Sequence, residues 1–367
     1  MLPDDGVIFV SIDDVEAQNL KFIMDEVFTE DNYINTVIWQ KAFSPINTRK
    51  FFSGNHDHIF VYAKNIDMLK MNLLPRMETQ KESYKNPDND PRGDWTAGGI
   101  DVGPIVKDQI YPILNPYTKN EIYPPSGYCW RYKKEKLQEL IKDNRIYFPK
   151  GGRGVPRIKR FLSEVKDGIV PMTVWEWEDV GHNQEAKQEL KQIFPKSDLP
   201  FETPKPVRLL KRILQLAADK DSIVLDSFAG SGTTGQAVLD LNKEDKGSRK
   251  FILVEMEGAI AEDITAERVR RVIDGYSHNG TKVAGLGGGF QFMRLGTTLF
   301  DKDGFISEDV TFKDMAQYIY FTETKTALNT RKIDGLFIGD KNDTEYYLLF
   351  KGIKKNVIDN KILKQIN

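Results

Sequence analysis

The sequence predicts an α/β fold built around a parallel sheet, and three observations predict it. An apolar strand, Ile223 to Leu225, runs into Asp226 and then into the loop Ser-Phe-Ala-Gly-Ser-Gly-Thr-Thr-Gly. A helical run starts near Thr233, and a second apolar strand, Phe251 to Val254, ends in Glu255. Far upstream, Val7 to Ile12 is a continuous apolar run of the kind buried inside a sheet. The first two observations define a Rossmann-like βαβ unit, and the third supplies a further strand.

The elements follow in chain order. Val7 to Ile12 reads as a strand, and Asp13-Asp14 opens a helix from about Val15 to Phe28. Leu20, Ile23, Met24 and Val27 recur at helical spacing there. Val37 to Gln40 and Ile59 to Ala63 read as two more strands. The segment between them carries Arg49, Lys50, His56 and His58, the histidines reading as ordinary polar groups at a strand start. From about Pro75 to Pro200 the chain turns rich in Pro, Gly, Asn, Asp, Tyr and Trp. Helical spacing returns only locally, at Leu137, Leu140 and Ile141 and again at Ala186, Leu190 and Ile193.

Within that stretch, Gly127-Tyr-Cys-Trp-Arg-Tyr-Lys-Lys interleaves aromatic and basic residues. Lys150 to Arg160 is basic, bears glycines and contains no acid. Flexible basic loops suit phosphate contacts, so Arg153, Arg157, Lys159 and Arg160 are candidates for a phosphate-binding face, the alternative being a solvated surface loop. Val207 to Ala218 is an amphipathic helix, with Leu209, Leu210, Ile213, Leu214 and Leu216 apolar and Arg208, Lys211 and Arg212 exposed. A further helix after Glu257 runs to about Asp274, with Ile264, Val269, Val272 and Ile273 inward. Beyond residue 276, Gly285 to Gly289 reads as a joint, Phe290 to Leu295 and Tyr346 to Phe350 as strands, and Phe312 to Phe321 as a helix. That end is expected to be a small α+β appendage.

The loop after Asp226 is built to hold a nucleoside-bearing cofactor. Gly230, Gly232 and Gly235 let the backbone approach a ligand, where a Cβ would clash. Glu255, at the tip of the second strand, is placed to accept hydrogen bonds from two ribose hydroxyls. The glycines also fit the dinucleotide pattern G-x-G-x-x-G, with Glu255 a further 20 residues on. Two features oppose a nicotinamide cofactor. The first glycine stands off from the strand, with Asp-Ser-Phe-Ala between, and a carboxylate at Asp226 repels pyrophosphate. The same carboxylate favours S-adenosylmethionine, which carries an ammonium and a sulfonium. A Walker loop is excluded, because no G-K-[ST] follows.

The whole-chain composition bounds the reading further. The 367 residues allow two or three domains, and 40% apolar content is ample for a packed core. The net charge of −2 means that nucleic-acid contacts must come from local patches. Cys129 is the one cysteine, so there is neither an internal disulfide nor a Cys-rich zinc site, and it reads as a packing residue. The chain shows no signal-peptide pattern and no apolar run of 18 residues, so the expected location is cytoplasmic, without a membrane partner.

Asp-Ser-Phe-Ala-Gly-Ser-Gly-Thr-Thr resembles the cofactor motif of amino-methylating DNA methyltransferases. Thr203-Pro-Lys-Pro-Val-Arg-Leu-Leu-Lys-Arg-Ile-Leu is similar to the segment preceding that motif in their permuted beta class. Gly6-Val-Ile-Phe-Val-Ser-Ile-Asp-Asp and Asn55-His-Asp-His-Ile-Phe-Val-Tyr-Ala-Lys-Asn resemble the catalytic-half strands of the same class. The order, catalytic half first and cofactor half last, matches the modification subunits of type III restriction systems. The resemblance implies a methyltransferase sheet using S-adenosylmethionine. It implies a catalytic-half part over residues 1–74, a target-recognition insert over 75–200, the cofactor half over 201–275 and an appendage over 276–367. The cofactor would lie against Asp226, Phe228, Ala229, Gly230, Gly232, Thr233 and Glu255, with Lys205 and Pro206 at its methionine end. The implied partners are double-stranded DNA, a restriction (helicase/nuclease) subunit and a second copy of the chain. The implied reaction is methyl transfer to N6 of adenine, with N4 of cytosine left open, and it needs no metal.

One family element is missing. These enzymes carry Asp-Pro-Pro-Tyr or a close variant ahead of the strand that here begins at Val7, and the chain contains no such tetrapeptide. Asn115-Pro116-Tyr117 lacks the second proline, and Pro124-Pro125 is followed by Ser126. The expectation is that the family's catalytic loop lies off the N-terminus, so no catalytic residue is assigned. Two readings stay open: a site-specific DNA methyltransferase incomplete as this chain, or a noncatalytic module that binds cofactor and DNA. A nicotinamide enzyme is the weaker third.

Overall fold

The computed structural model describes the chain except residues 1, 46, 47, 49, 77–81, 150–153, 166, 167, 196–200, 297, 353–355 and 365–367. Arg49, Lys150 and Arg153 lie outside the described residues. The chain divides into two units, Met1–Gly289 and Phe290–Asn367.

In the first unit, β1 (Val7–Ile12), β2 (Tyr33–Gln40), β3 (His56–Ala63) and β11 (Val174–Trp175) form one sheet in the order β1-β3-β2-β11. β3 pairs antiparallel with both neighbours, from Val7↔Ala63 to Ile12↔His58 on one side. Its central place explains its sequence. A strand covered on both faces must be apolar throughout, and Ile59 to Ala63 are all buried. Ile59 and Val61 face a core with Val37, Trp39, Leu209 and Leu216. Phe60 and Tyr62 face α1 (Ala17–Phe28), against Ala17 and Met24. The helical spacing of α1 is as read, and the helix buries Met24 while leaving Ile23 and Val27 57% and 64% exposed.

The stretch that follows has its own core. β4 (Trp95–Gly99), β10 (Arg157–Phe161) and β9 (Ile146–Tyr147) form a three-stranded antiparallel sheet. Two short ladders join it, β5 (Asp101–Val102) with β8 (Cys129–Trp130) and β6 (Ile113–Leu114) with β7 (Glu121–Ile122). Ile100, Tyr111, Ile113, Trp130, Ile146 and Phe148 pack with Leu137 of α2 (Lys134–Lys142). The short α3 (Trp177–Val180) and α4 (Asn183–Ile193) complete the segment, and α4 buries Ala186, Leu190 and Ile193. Asn115, at the β6–β7 turn, is buried and accepts from the backbone N–H of Tyr117 and Thr118. It is a turn residue.

Lys159 corrects the sequence reading of the basic stretch. Along β10, Arg157 at the strand start and Arg160 on the opposite face are exposed, whereas Lys159 is buried. Lys159 Nζ is fully buried, 2.5 Å from Asp88 Oδ2 and 3.0 Å from Asp90 Oδ2. A cation so enclosed cannot reach a phosphate; it is an internal ion-pair partner.

α5 (Val207–Ala217) joins the two sheets of this unit. Leu209 and Leu216 pack against the β1–β3–β2 sheet. Val207 and Leu214 pack against Val224 and Phe251 of the second sheet and Ala237, Val238 and Leu241 of α6 (Thr233–Asp245). That second sheet is β12 (Ile223–Asp226) paired parallel with β13 (Lys250–Leu253). A helix with two covered faces loses about 1.5–3 kcal/mol for each such leucine left in water. A π-helical stretch, Ile260–Ala266, runs into α7 (Glu267–Asp274), and the hairpin β14 (Gly275–His278) and β15 (Thr281–Ala284) follows.

In the second unit, α8 (Phe312–Thr324) starts with a capping box between Thr311 and Asp314. Its Met315, Ala316 and Tyr320 pack with Ile338 and Leu348 around the hairpin β16 (Phe337–Lys341) and β17 (Thr344–Tyr347). A short α9 (Asn360–Leu363) is capped by Asp359. Phe290 to Leu295, expected as a strand, has no regular structure, and Leu295 is fully exposed. Among the described residues no helix is long and apolar enough to cross a membrane.

Candidate cofactor site

The candidate site forms where β12 and β13 end side by side, register Asp226↔Leu253. The loop after β12 is zipped to the end of β13: Val254 N donates to Asp226 O at 2.8 Å, and Ala229 N to Val254 O at 3.0 Å. Both strand-end acids hold the loop. Asp226 Oδ1 accepts from Phe228 N at 3.1 Å and Oδ2 from Thr234 Oγ1 at 2.5 Å. Glu255 Oε2 accepts from Gly230 N at 2.9 Å, and Oε1 from Glu257 N at 3.1 Å. Each carboxylate oxygen has two lone pairs, so Glu255 keeps acceptor capacity for hydroxyl donors.

The glycines have separable reasons. Gly230 and Gly232 have positive φ, +48° and +75°. A Cβ at Gly230 would stand 2.9 Å from the Phe201 ring, and one at Gly232 3.0 Å from Thr265 O. Gly235, inside α6, lets that helix close on its neighbours: a Cβ there would meet Val269 at 3.0 Å and Leu253 at 3.1 Å. Phe228 projects outward, 85% exposed, and Ala229 is buried.

Beneath the loop lies a residue that sequence reading missed. Arg268 is fully buried and donates from Nη1 to Thr233 Oγ1 at 2.7 Å and Ser231 Oγ at 3.0 Å, and from Nε to Gln236 Oε1 at 2.9 Å. Burial pushes its guanidinium down to about 10, with the charge of Glu189 opposing the shift. It remains charged at neutral pH and ties the loop to α6 and α7. A signal existed: Arg268 stands four residues from both Ile264 and Val272 on the inward stripe. Thr265, in the π-helical stretch, donates to Gly230 O at 2.5 Å. Single π-turns recur at functional sites.

Lys205 and Pro206 sit beside the loop, and the Lys205 side chain turns toward the first sheet. Lys205 Nζ donates to Asp57 Oδ2 at 2.9 Å and lies 4.7 Å above the Trp39 ring. Lys41 Nζ takes the other oxygen of buried Asp57 at 2.6 Å. The carbonyl of Lys205 accepts from Thr233 Oγ1 at 3.2 Å, and buried Pro206 caps α5. Asp57 therefore connects the start of β3 to the segment ahead of α5, whose Lys205 carbonyl meets Thr233 at the start of α6.

The chain belongs to the DNA methylase family whose N6_N4_Mtase model matches residues 1–267. It is 37% identical over 274 residues to the Mod subunit of the type III restriction-modification enzyme StyLTI of Salmonella typhimurium, covering 73% of this chain and 40% of that one. It is 30% identical over 284 residues to the EcoPI Mod subunit of Escherichia phage P1, covering 71% and 44%. The type II methyltransferase M.KpnI of Klebsiella pneumoniae is 29% identical over 311 residues, covering 75% of this chain and 71% of M.KpnI. The chain thus spans less than half the length of the type III relatives it matches.

Proposed function

We propose that this chain binds S-adenosylmethionine and double-stranded DNA and serves adenine-N6 methylation in a restriction-modification system. One observation carries the reading: two acids at the ends of adjacent parallel strands clamp a glycine loop that opens a helix. Asp226 and Glu255 organise the loop. Glu255 also offers acceptors to the ribose hydroxyls, and the acid pair suits a cationic donor better than pyrophosphate. Gly230, Gly232, Thr233 and Ala229 form the wall, and exposed Phe228 is available to the adenine ring. The Mod relatives support a type III system, with a restriction subunit as partner. The segment 75–200 would read the target, and a second copy of the chain is the further partner.

The test is donor affinity. Glu255→Ala should weaken S-adenosylmethionine binding by about 1–3 kcal/mol through the removal of charged hydrogen bonds, read by calorimetry on the purified chain. Unchanged affinity removes the assignment.

The DNA face now rests on Arg157 and Arg160, both exposed on β10. Neutralising both should lower the salt slope of DNA binding by about 0.9 for each phosphate that is no longer neutralised. An unchanged slope means that the insert meets DNA through another surface.

A second reading keeps the binding but not the chemistry: a noncatalytic donor- and DNA-binding module. It is favoured by the absence of an Asp-Pro-Pro-aromatic tetrapeptide from the 367 residues.

A further inference from the structure

We propose that Asp14, His56 and His58 form a binding site for a divalent transition metal of the zinc type. His56 and His58 stand two apart on β3, so both rings leave the same face of the strand. The pairing Ile12↔His58 brings the turn after β1 alongside, and Asp14 reaches back over that face. Both imidazoles converge on one oxygen: His58 Nε2 lies 2.7 Å and His56 Nε2 3.4 Å from Asp14 Oδ1. One ligand atom from each of the three residues lies within 4.8 Å of the others. Bonds of about 2.0–2.2 Å to nitrogen and oxygen in a tetrahedron put neighbouring ligand atoms about 3.3 Å apart, so the cluster closes on an ion with small rotations.

The donor set selects the metal class. Two neutral imidazoles and one carboxylate suit zinc and leave a fourth position for water. The rings are already ordered. His58 stacks on Phe60 at 6.2 Å with an interplanar angle of 10°, and His56 meets His58 edge-on at 5.2 Å. Asp57, between the two histidines, points to the opposite face and is held by Lys41 and Lys205. An ion would therefore pin the β1–α1 turn to the strand end that also carries the link to the glycine loop. The neighbouring positive charge, Lys41, opposes cation binding, and its ammonium is already engaged by Asp57 at 2.6 Å.

The experiment uses the full chain, stripped with chelator, and titrates in zinc by calorimetry and cobalt(II) by visible absorption. One ion per chain is expected, with the ligand-field bands of a tetrahedral cobalt site and a zinc-dependent rise in Tm. Asp14→Asn, His56→Ala and His58→Ala should each weaken uptake at least about tenfold, whereas His278→Ala, outside the cluster, should not. Circular dichroism checks the folding of the histidine variants. Should they unfold, Asp14→Asn still decides, because Asp14 lies on an exposed turn. No stoichiometric uptake by the parent chain, or uptake that Asp14→Asn leaves unchanged, overturns the proposal.

Discussion

Lys159→Ala is expected to lower folding stability by about 3–5 kcal/mol, the cost of removing one partner from a buried ion pair. The lysine is enclosed, and both of its carboxylate partners depend on it. Asp90 is fully buried and is shared with Arg92 at 2.9 Å; Asp88 also accepts from Trp95 Nε1 at 2.9 Å. Removing the ammonium leaves Asp88 without its ion-pair partner and the buried Asp90 charge with Arg92 as its ion-pair partner. Urea unfolding of the variant measures the loss. Arg157→Ala, on the outward side of the same strand, should stay within about 0.5 kcal/mol of the parent. Were Lys159 a phosphate ligand, the pattern would invert: stability unchanged, salt slope of DNA binding reduced. The cluster also sets a pH dependence. Hydrogen bonds from Arg92, and then Lys159, hold the Asp90 carboxyl well below the usual carboxylate range. A carboxyl with a depressed folded value contributes stability that is present above its unfolded value of about 4 and is lost as pH falls toward the folded one. Acid should therefore destabilise the parent more steeply than a Lys159→Ala, Asp90→Asn double variant.

Lys159 shows where sequence reading stopped. Its neighbours are basic and its segment holds no acid, so a solvent-facing role followed from local pattern. Its counter-charges lie 71 and 69 residues earlier and arrive only when β4 pairs with β10. Local spacing carries no information about that meeting. Arg268 was hidden for the opposite reason: it lies on a legible apolar stripe, where an arginine reads as a surface residue that happens to be there. For α1 the period was legible and the orientation was not, because Phe22, Ile23 and Val27 make a second apolar face that is exposed. The expected strand from Phe290 to Leu295 had a strand's composition but forms no strand among the described residues. By contrast, β12, its loop and β13 were readable because the constraint is local: a strand, an acid, glycines forced by positive φ, and a second acid one helix later. The convergence of Asp14 on two histidines needed the β1–β3 register as well.

The chain by itself is expected to bind S-adenosylmethionine and not to methylate DNA at a useful rate. Methyl transfer needs two things: a donor held with its sulfonium exposed, and an amine oriented for in-line attack. The glycine loop, Asp226 and Glu255 address the first. The second is the task of the Asp-Pro-Pro-aromatic loop in the family that the sequence resembles. There the acid and a backbone carbonyl accept hydrogen bonds from the exocyclic amine, and the aromatic ring stacks on a flipped base. The 367 residues contain no such tetrapeptide. The near match Asn115-Pro116-Tyr117 is committed to the β6–β7 turn, with Asn115 Oδ1 already accepting two backbone N–H groups. Positioning supplies ~7–11 kcal/mol of a barrier in favourable cases, so its loss costs several powers of ten in rate. Radiolabelled methyl transfer to mixed-sequence DNA, run beside a donor-binding titration, separates the two steps. Binding without turnover supports the division of labour. Turnover near that of other family members refutes it, and would mean that an acid such as Asp13 or Asp14, just past the end of β1, orients the amine.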